Sequence, residues 1–272
     1  MVNSVFASSL AQALEARSNP DLIPYAGGTD LMVEGNESHS YLFLNKVPEM
    51  RQILVEDELL RIGAAVTFTE IINHPETPAI LKEACTQVAA PAIRNKGTVG
   101  GNIANGSPKA DSALIFMLTD ATLRLASTKE ERFLPIKDFY LGRKKLDLKP
   151  DELITEIIMP RTGLDNFYYK KVGARQALAI SRLSFAALLQ LEGDVIKHFA
   201  TALGAVADVI LRFEDADQMM IGKTISQAKA IKEDYLKKMD ELIVPIRGRV
   251  SIEYRKTVAI NLLKDFLESK GI

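Results

Sequence analysis

The sequence predicts an α+β protein of two domains, on three observations. Antiparallel hairpin patterns recur, at Ile53 to Val55 with Leu59 to Ala64, at Thr122–Ala126 with Glu131–Leu134, and at Ser184 to Glu192 with Val195 to Leu203. Helical spacing falls between and after these hairpins instead of alternating with single strands, as a parallel α/β sheet requires. Pro160 ends an apolar strand pattern where 272 residues divide into pieces of ordinary domain size, 1–163 and 164–272. The larger piece is itself expected as two subdomains, roughly 1–52 and 53–163.

The elements follow in order. Ser8 or Ser9 caps a short helix to Arg17, with Leu10, Ala13 and Leu14 on one face. Leu22 to Tyr25 is a strand running into Gly27-Gly28-Thr29-Asp30, and Tyr41 to Leu44 is a second. After the first hairpin, Thr69 to Ile72 and Ala79 to Ala89 have helical spacing. Arg94 to Ser107 holds four glycines and three asparagines with little periodicity and reads as a loop. A helix from Ala113 leads to the second hairpin, and Leu153 to Met159 is a strand. Beyond Pro160, Phe167 to Val172 is a strand, and Gly193-Asp194 turns the third hairpin. Ser226 to Leu242 reads as one amphipathic helix, and Ile252 to Leu267 as another with Ala259, Leu262, Leu263, Phe266 and Leu267 on one face.

Composition removes whole classes of function. With 34 basic and 35 acidic residues the net charge is −1, which argues against nucleic acid held by counterion release. The most apolar run, Ala113 to Leu118, is far shorter than the roughly 20 residues a membrane span needs. No secretory signal pattern is visible, so the cytoplasm is the expected location. Cys85 is the only cysteine, which excludes an internal disulfide and any iron–sulfur cluster held by this chain alone. His39, His74 and His198 are scattered, and no metal site is expected.

Two glycine segments carry the chemistry. Ala26-Gly27-Gly28-Thr29-Asp30-Leu31 leaves a strand with paired glycines, a backbone that can approach a phosphate without a Cβ in the way. The second runs from Ile93 through Gly97-Thr98-Val99-Gly100-Gly101-Asn102 to Asp111. It repeats the paired glycines and adds Thr98, Asn102, Asn105 and Ser107 as neutral hydrogen-bonding groups, with Asp111 able to accept from a sugar hydroxyl. Two such segments facing one pyrophosphate would divide its neutralisation among their amides. Neither has Walker or Rossmann spacing.

Ala26 to Leu31, followed about seventy residues later by Ile93-Arg94-Asn95-Lys96-Gly97-Thr98-Val99-Gly100-Gly101-Asn102-Ile103, resembles the FAD-binding medium subunit of the molybdenum hydroxylases. That family includes xanthine dehydrogenase, carbon monoxide dehydrogenase and nicotinate dehydrogenase. The likeness continues through Leu134 to Tyr140, Glu152 to Pro160, Lys171 to Arg175 with Ala177 to Ser181, and Tyr254-Arg255-Lys256, and so covers nearly the whole chain.

The resemblance implies a vanillyl-alcohol-oxidase-like (PCMH-type) FAD-binding domain. A smaller domain of antiparallel strands and helices, of the CO dehydrogenase flavoprotein C-terminal type, would follow. It implies noncovalent FAD, its pyrophosphate held by Ala26, Gly27, Gly28, Thr29, Asp30 and Leu31 and by Thr98, Gly101 and Asn102. Asn105 and Asp111 would serve the ribityl and adenosine side, Ile154 would lie near a ring of the cofactor, and Lys171 near the isoalloxazine. Strand alternation puts Tyr169 on the face of Lys171. Val88 stands where relatives often carry an aromatic residue over the flavin, leaving the stacking partner open.

The resemblance further implies an electron-transfer subunit without a catalytic residue of its own. Molybdopterin would sit on a large partner subunit and [2Fe–2S] clusters on a small one, with NAD, quinone, ferredoxin or oxygen as acceptor. A stand-alone flavoenzyme of the same superfamily, such as an enolpyruvyl-sugar reductase, and a non-enzymatic nucleotide-binding module are the alternatives.

Overall fold

The computed structural model describes residues 4–34 and 38–272. It opens on a three-stranded parallel sheet in the order Val5–Phe6, Ser40–Phe43, Leu22–Tyr25. The crossover helix Leu10–Arg17 is capped by Ser9, whose side chain accepts from the Gln12 amide, and it buries Ala13. The two-residue strand Val5–Phe6 is too short to leave a period in the sequence.

A five-stranded antiparallel sheet follows, in the order Ile53–Glu56, Leu59–Gly63, Leu153–Pro160, Thr122–Ala126, Glu131–Pro135. Both predicted hairpins are present here. Pro160 is the last paired residue, a position where its missing N–H is tolerated. Between the strands come the helices Phe68–Asn73, Ala79–Thr86, Val99–Ala104 and Asp111–Leu118. The first has a reciprocal capping box between Thr67 and Glu70.

The third sheet, order Phe167–Val172, Leu183–Glu192, Val195–Gly204, Leu211–Arg212, is antiparallel throughout. Its central strand is apolar on both faces because both are covered. Leu183, Phe185, Ala187 and Leu189 join the core under the helices Lys232–Leu242 and Ile252–Ser269, while Ala186 and Leu188 join the core of the preceding region. The helix Asp111–Leu118, every residue of it buried, packs against this sheet from the other side.

Three expectations need correction. Arg94 to Ser107 is not a loop but holds the helix Val99–Ala104, with a turn of helix at Pro91–Arg94 before it. Two glycines give that helix poor intrinsic propensity. It is held by the Thr98 cap, by burial of Val99 and Ile103, and by Gly100, where a Cβ would fall 2.5 Å from the Ala64 Cβ. Next, Ala79 to Ala89 stops as a helix at Thr86, and Ala89 takes a positive φ of 40°. Arg94 Nη1 fixes the turn by donating to the Val88 and Ala89 carbonyls. Finally, Ser226 to Leu242 is two helices, Ile225–Ala230 and Lys232–Leu242. The break at Ile231 lets Ala228 and the Tyr235, Leu236, Met239 face enter the same core.

Candidate cofactor site at two adjoining glycine segments

The Leu22–Tyr25 strand ends in Ala26 and the two glycines, and Gly28 adopts φ +68°, a conformation natural to glycine. A Cβ on Gly27 would fall 2.0 Å from the Lys96 carbonyl oxygen, so the first segment lies directly on the second. The amides of Gly27, Gly28, Thr29 and Asp30 have no acceptor among the described residues, while the Gly28 and Asp30 carbonyls accept from Met32 and Val33 as the Leu31–Glu34 turn of helix begins. Four consecutive uncommitted N–H groups at a strand end form the kind of concavity that binds oxyanions.

The second segment is spent differently. Val99 N donates to Val66 O at 3.0 Å, Gly100 N to Ala64 O at 2.9 Å, and Gly101 N to Thr98 Oγ1 at 3.2 Å. The paired glycines of the second segment therefore keep no free backbone donor, unlike those of the first. What the second offers is the exposed Gly101, where an added Cβ meets only Thr98 Oγ1 within 4 Å, and the side-chain amide of Asn102, whose backbone N–H donates to the Thr98 carbonyl. Ser112 Oγ donates to Asn102 Oδ1 at 2.8 Å, which leaves the Asn102 NH2 to donate outward. Asn105 caps the C-terminus of the same helix, half-buried. Backbone donors, an oriented side-chain amide, and glycine where close approach is needed suit a pyrophosphate, and Asp30 is the one acidic residue in Ala26–Leu31 and 93–105 together.

A buried polar cluster adjoins this site. Asp111 stands in the first turn of its helix and is 6% exposed. Lys171 Nζ donates to its Oδ2 at 2.6 Å, and Ser181 Oγ and Tyr169 Oη donate to Oδ1 at 2.9 and 3.4 Å. Lys171 also donates to the Gln87 carbonyl at 2.9 Å, beside the half-buried Val88. Burial raises the Asp111 carboxyl above its ordinary value, and the Lys171 ammonium opposes that shift. Tyr169 and Lys171 do share one face of their strand. Asp111, read from the sequence as an acceptor for a sugar hydroxyl, directs its carboxylate to three protein donors.

Ile154 is buried in its strand at a register irregularity, in the strand on which the Val99–Ala104 helix packs. Cys85 is fully buried, and burial pushes its thiol up, so it packs as a small apolar side chain. Sequence reasoning assigned no role to Ser112, Ser181 or Tyr25. Ser112 orients Asn102, Ser181 holds Asp111, and the Tyr25 hydroxyl fills the space a Cβ on Gly28 would take, 2.0 Å away. Ser112 had a signal in its place next to Asp111; Ser181 meets Asp111 only across 70 positions, and the Tyr25 contact, though three residues from Gly28, depends on the turn its chain takes.

Residues 1–162 match the family described as the FAD binding domain in molybdopterin dehydrogenase, and residues 167–269 match the CO dehydrogenase flavoprotein C-terminal domain. The xanthine dehydrogenase FAD-binding subunit of Escherichia coli O157:H7 is 34% identical over 226 residues, covering 78% of this chain and 76% of the relative. The nicotinate dehydrogenase FAD-subunit of Eubacterium barkeri is 31% identical over 246 residues, covering 85% and 82%. Among solved structures, carbon monoxide dehydrogenase from Hydrogenophaga pseudoflava superposes with a TM-score of 0.88 at 25% identity, over 97% of this chain and 94% of that one. The chain thus belongs to the FAD-binding subunits of the molybdenum hydroxylase family, as an oxidoreductase component whose cofactor is FAD.

Proposed function

We propose that this chain is the cytoplasmic FAD-bearing electron-transfer subunit of a three-part molybdenum hydroxylase. It would receive electrons from [2Fe–2S] clusters on a small partner, supplied in turn by a molybdopterin-binding large partner, and deliver them to an acceptor such as NAD. The observation that carries this reading is the contact of the two glycine segments, with four free amides on one and an exposed glycine on the other. The names of the relatives support a multi-subunit setting, because they are called FAD-binding subunits or medium chains. Among the described residues no helix is long and apolar enough to cross a membrane.

In this reading residues 1–163 bind FAD noncovalently and residues 164–272 close over them. The amides of Gly27 to Asp30 and the Asn102 side chain hold the pyrophosphate, with Ala26, Leu31, Thr98 and Gly101 shaping its bed. Asn105 and Asp111 stand on the ribityl and adenosine side. Ile154 and Lys171 stand near the rings, Lys171 kept in place by Asp111 and Gln87. FAD, when bound, supplies the exchange between one-electron and two-electron carriers.

The test is reconstitution with the molybdenum and iron–sulfur subunits. The flavin-loaded chain should restore electron flow from substrate to acceptor and, alone, should show at most dye reduction by a reduced cofactor. Substrate hydroxylation by the isolated chain, with molybdenum absent by metal analysis, would overturn the reading.

A further inference from the structure

A cavity of about 260 Å³ lies between the 174–182 segment, Lys109, and the start of the Ile252–Ser269 helix. Among the described residues five cations line it, Lys109, Arg175, Arg182, Arg249 and Arg255, and no carboxylate does. None of its lining residues belongs to Ala26–Leu31 or to 98–105. A neutral protein has ample acidic residues to balance such a cluster, yet here the nearby carboxylate is spent elsewhere. Asp111, which accepts from the lining Ser181, is paired with Lys171. Glu253, in the first turn of the helix, is exposed and does not line the cavity.

Arg255 is the clearest sign of a missing partner. It is 5% exposed, and among the described residues its Nη1 reaches only the Val206 and Ile246 carbonyls at 3.4 and 3.1 Å and its Nε has no acceptor. A buried guanidinium without a counter-charge is unfavourable unless something anionic occupies the adjoining space. The eighteen-residue helix adds its positive end, since Ser251 caps it and Val250 and Arg249 line the cavity. Arg175 is already oriented, because its Nε and Nη2 donate to the Ala177 and Leu178 carbonyls. Leu178 takes a positive φ of 56° in doing so.

We infer that this cavity is a second oxyanion site, for a phosphate or diphosphate group, separate from the bed of the FAD pyrophosphate. Its volume falls below the roughly 300–1,000 Å³ typical of whole small-molecule pockets, so it takes the charged group of a ligand and not an entire dinucleotide. The lowered Lys109 agrees: burial first, then Arg249, Arg255 and Arg143, disfavour its charge, a strain that a bound anion removes. The group arrives either as a free anion or as the diphosphate of a nucleotide.

The experiment is calorimetric titration of the FAD-saturated chain with inorganic pyrophosphate and, separately, with ADP, at constant ionic strength in chloride. Flavin absorbance is followed throughout. One-to-one pyrophosphate binding is expected, weakened at least tenfold in Arg182→Gln/Arg249→Gln and unchanged in Lys237→Gln, an exposed cation outside the cavity. These residues are chosen because Arg255 is buried and its replacement endangers the fold. Equal affinities for the two probes identify a free anion, and an at least tenfold preference for ADP a nucleotide; both support the site. Absence of binding, or equal binding by all variants, overturns it. Displacement of FAD by either probe, or loss of FAD from the double variant, also overturns it, by giving the cavity to the flavin's own phosphates.

Discussion

Lys171 Nζ and Asp111 Oδ2 lie 2.6 Å apart with both side chains more than nine-tenths buried, joining the edge strand of the third sheet to the buried helix of the FAD-binding region. Removing one partner of such a pair strands the other charge away from water. Lys171→Met should lower stability by about 3–5 kcal/mol, and adding Asp111→Asn should recover part of that loss. Urea denaturation of the flavin-free proteins measures both. A single variant as stable as the parent would mean that the pair does not join the two regions.

The two glycine segments should separate in mutational response. Gly27→Ala drives a Cβ into the Lys96 carbonyl and should destabilise the flavin-free fold. Gly101→Val meets only Thr98 Oγ1, so it should weaken the helix cap by about 1 kcal/mol while abolishing FAD binding and FAD-induced stabilisation. Thermal melts with and without FAD distinguish the two. Undiminished FAD affinity in Gly101→Val would remove this surface from the cofactor site.

Acid denaturation should release FAD, about one per chain, into the supernatant. Neither glycine segment contains a histidine or cysteine for the flavin to be joined to. Yellow colour that stays with the precipitated protein would contradict noncovalent binding. Protein left colourless by excess FAD, both alone and in the assembled complex, would remove the site.

Asp217 sets a pH dependence in the smaller core. It is 1% exposed, and burial pushes its carboxyl from 3.8 up to about 6, against Arg212 and donors from Thr201 and Tyr235. A raised carboxyl favours folding while protonated. Its contribution is therefore intact below about pH 4, falls as the unfolded chain ionises first, and levels off above about pH 6, a total change on the order of 3 kcal/mol. Stability of the parent relative to Asp217→Asn should decline across that window. Parallel pH profiles for the two proteins would show that Asp217 titrates normally.

The sequence by itself determined the elements whose signal is local. The three hairpins, the strand Leu22–Tyr25, the long C-terminal helix and both glycine segments follow from period, turn residues and spacing. The fold family and the cofactor were likewise legible, because pyrophosphate recognition by backbone constrains short stretches of sequence. Tertiary structure alone decided the rest. The Val99–Ala104 helix exists because Gly100 fits against Ala64, a contact from the turn after the Leu59–Gly63 strand that outweighs the weak helix propensity of two adjacent glycines. Asp111 meets Lys171 across 60 positions, and Arg255 meets Lys109 and Arg182 at one cavity only after the chain has folded. Periodicity reports which face of an element is apolar; which buried charges find partners within the chain, and which face a cavity, depends on how distant elements dock.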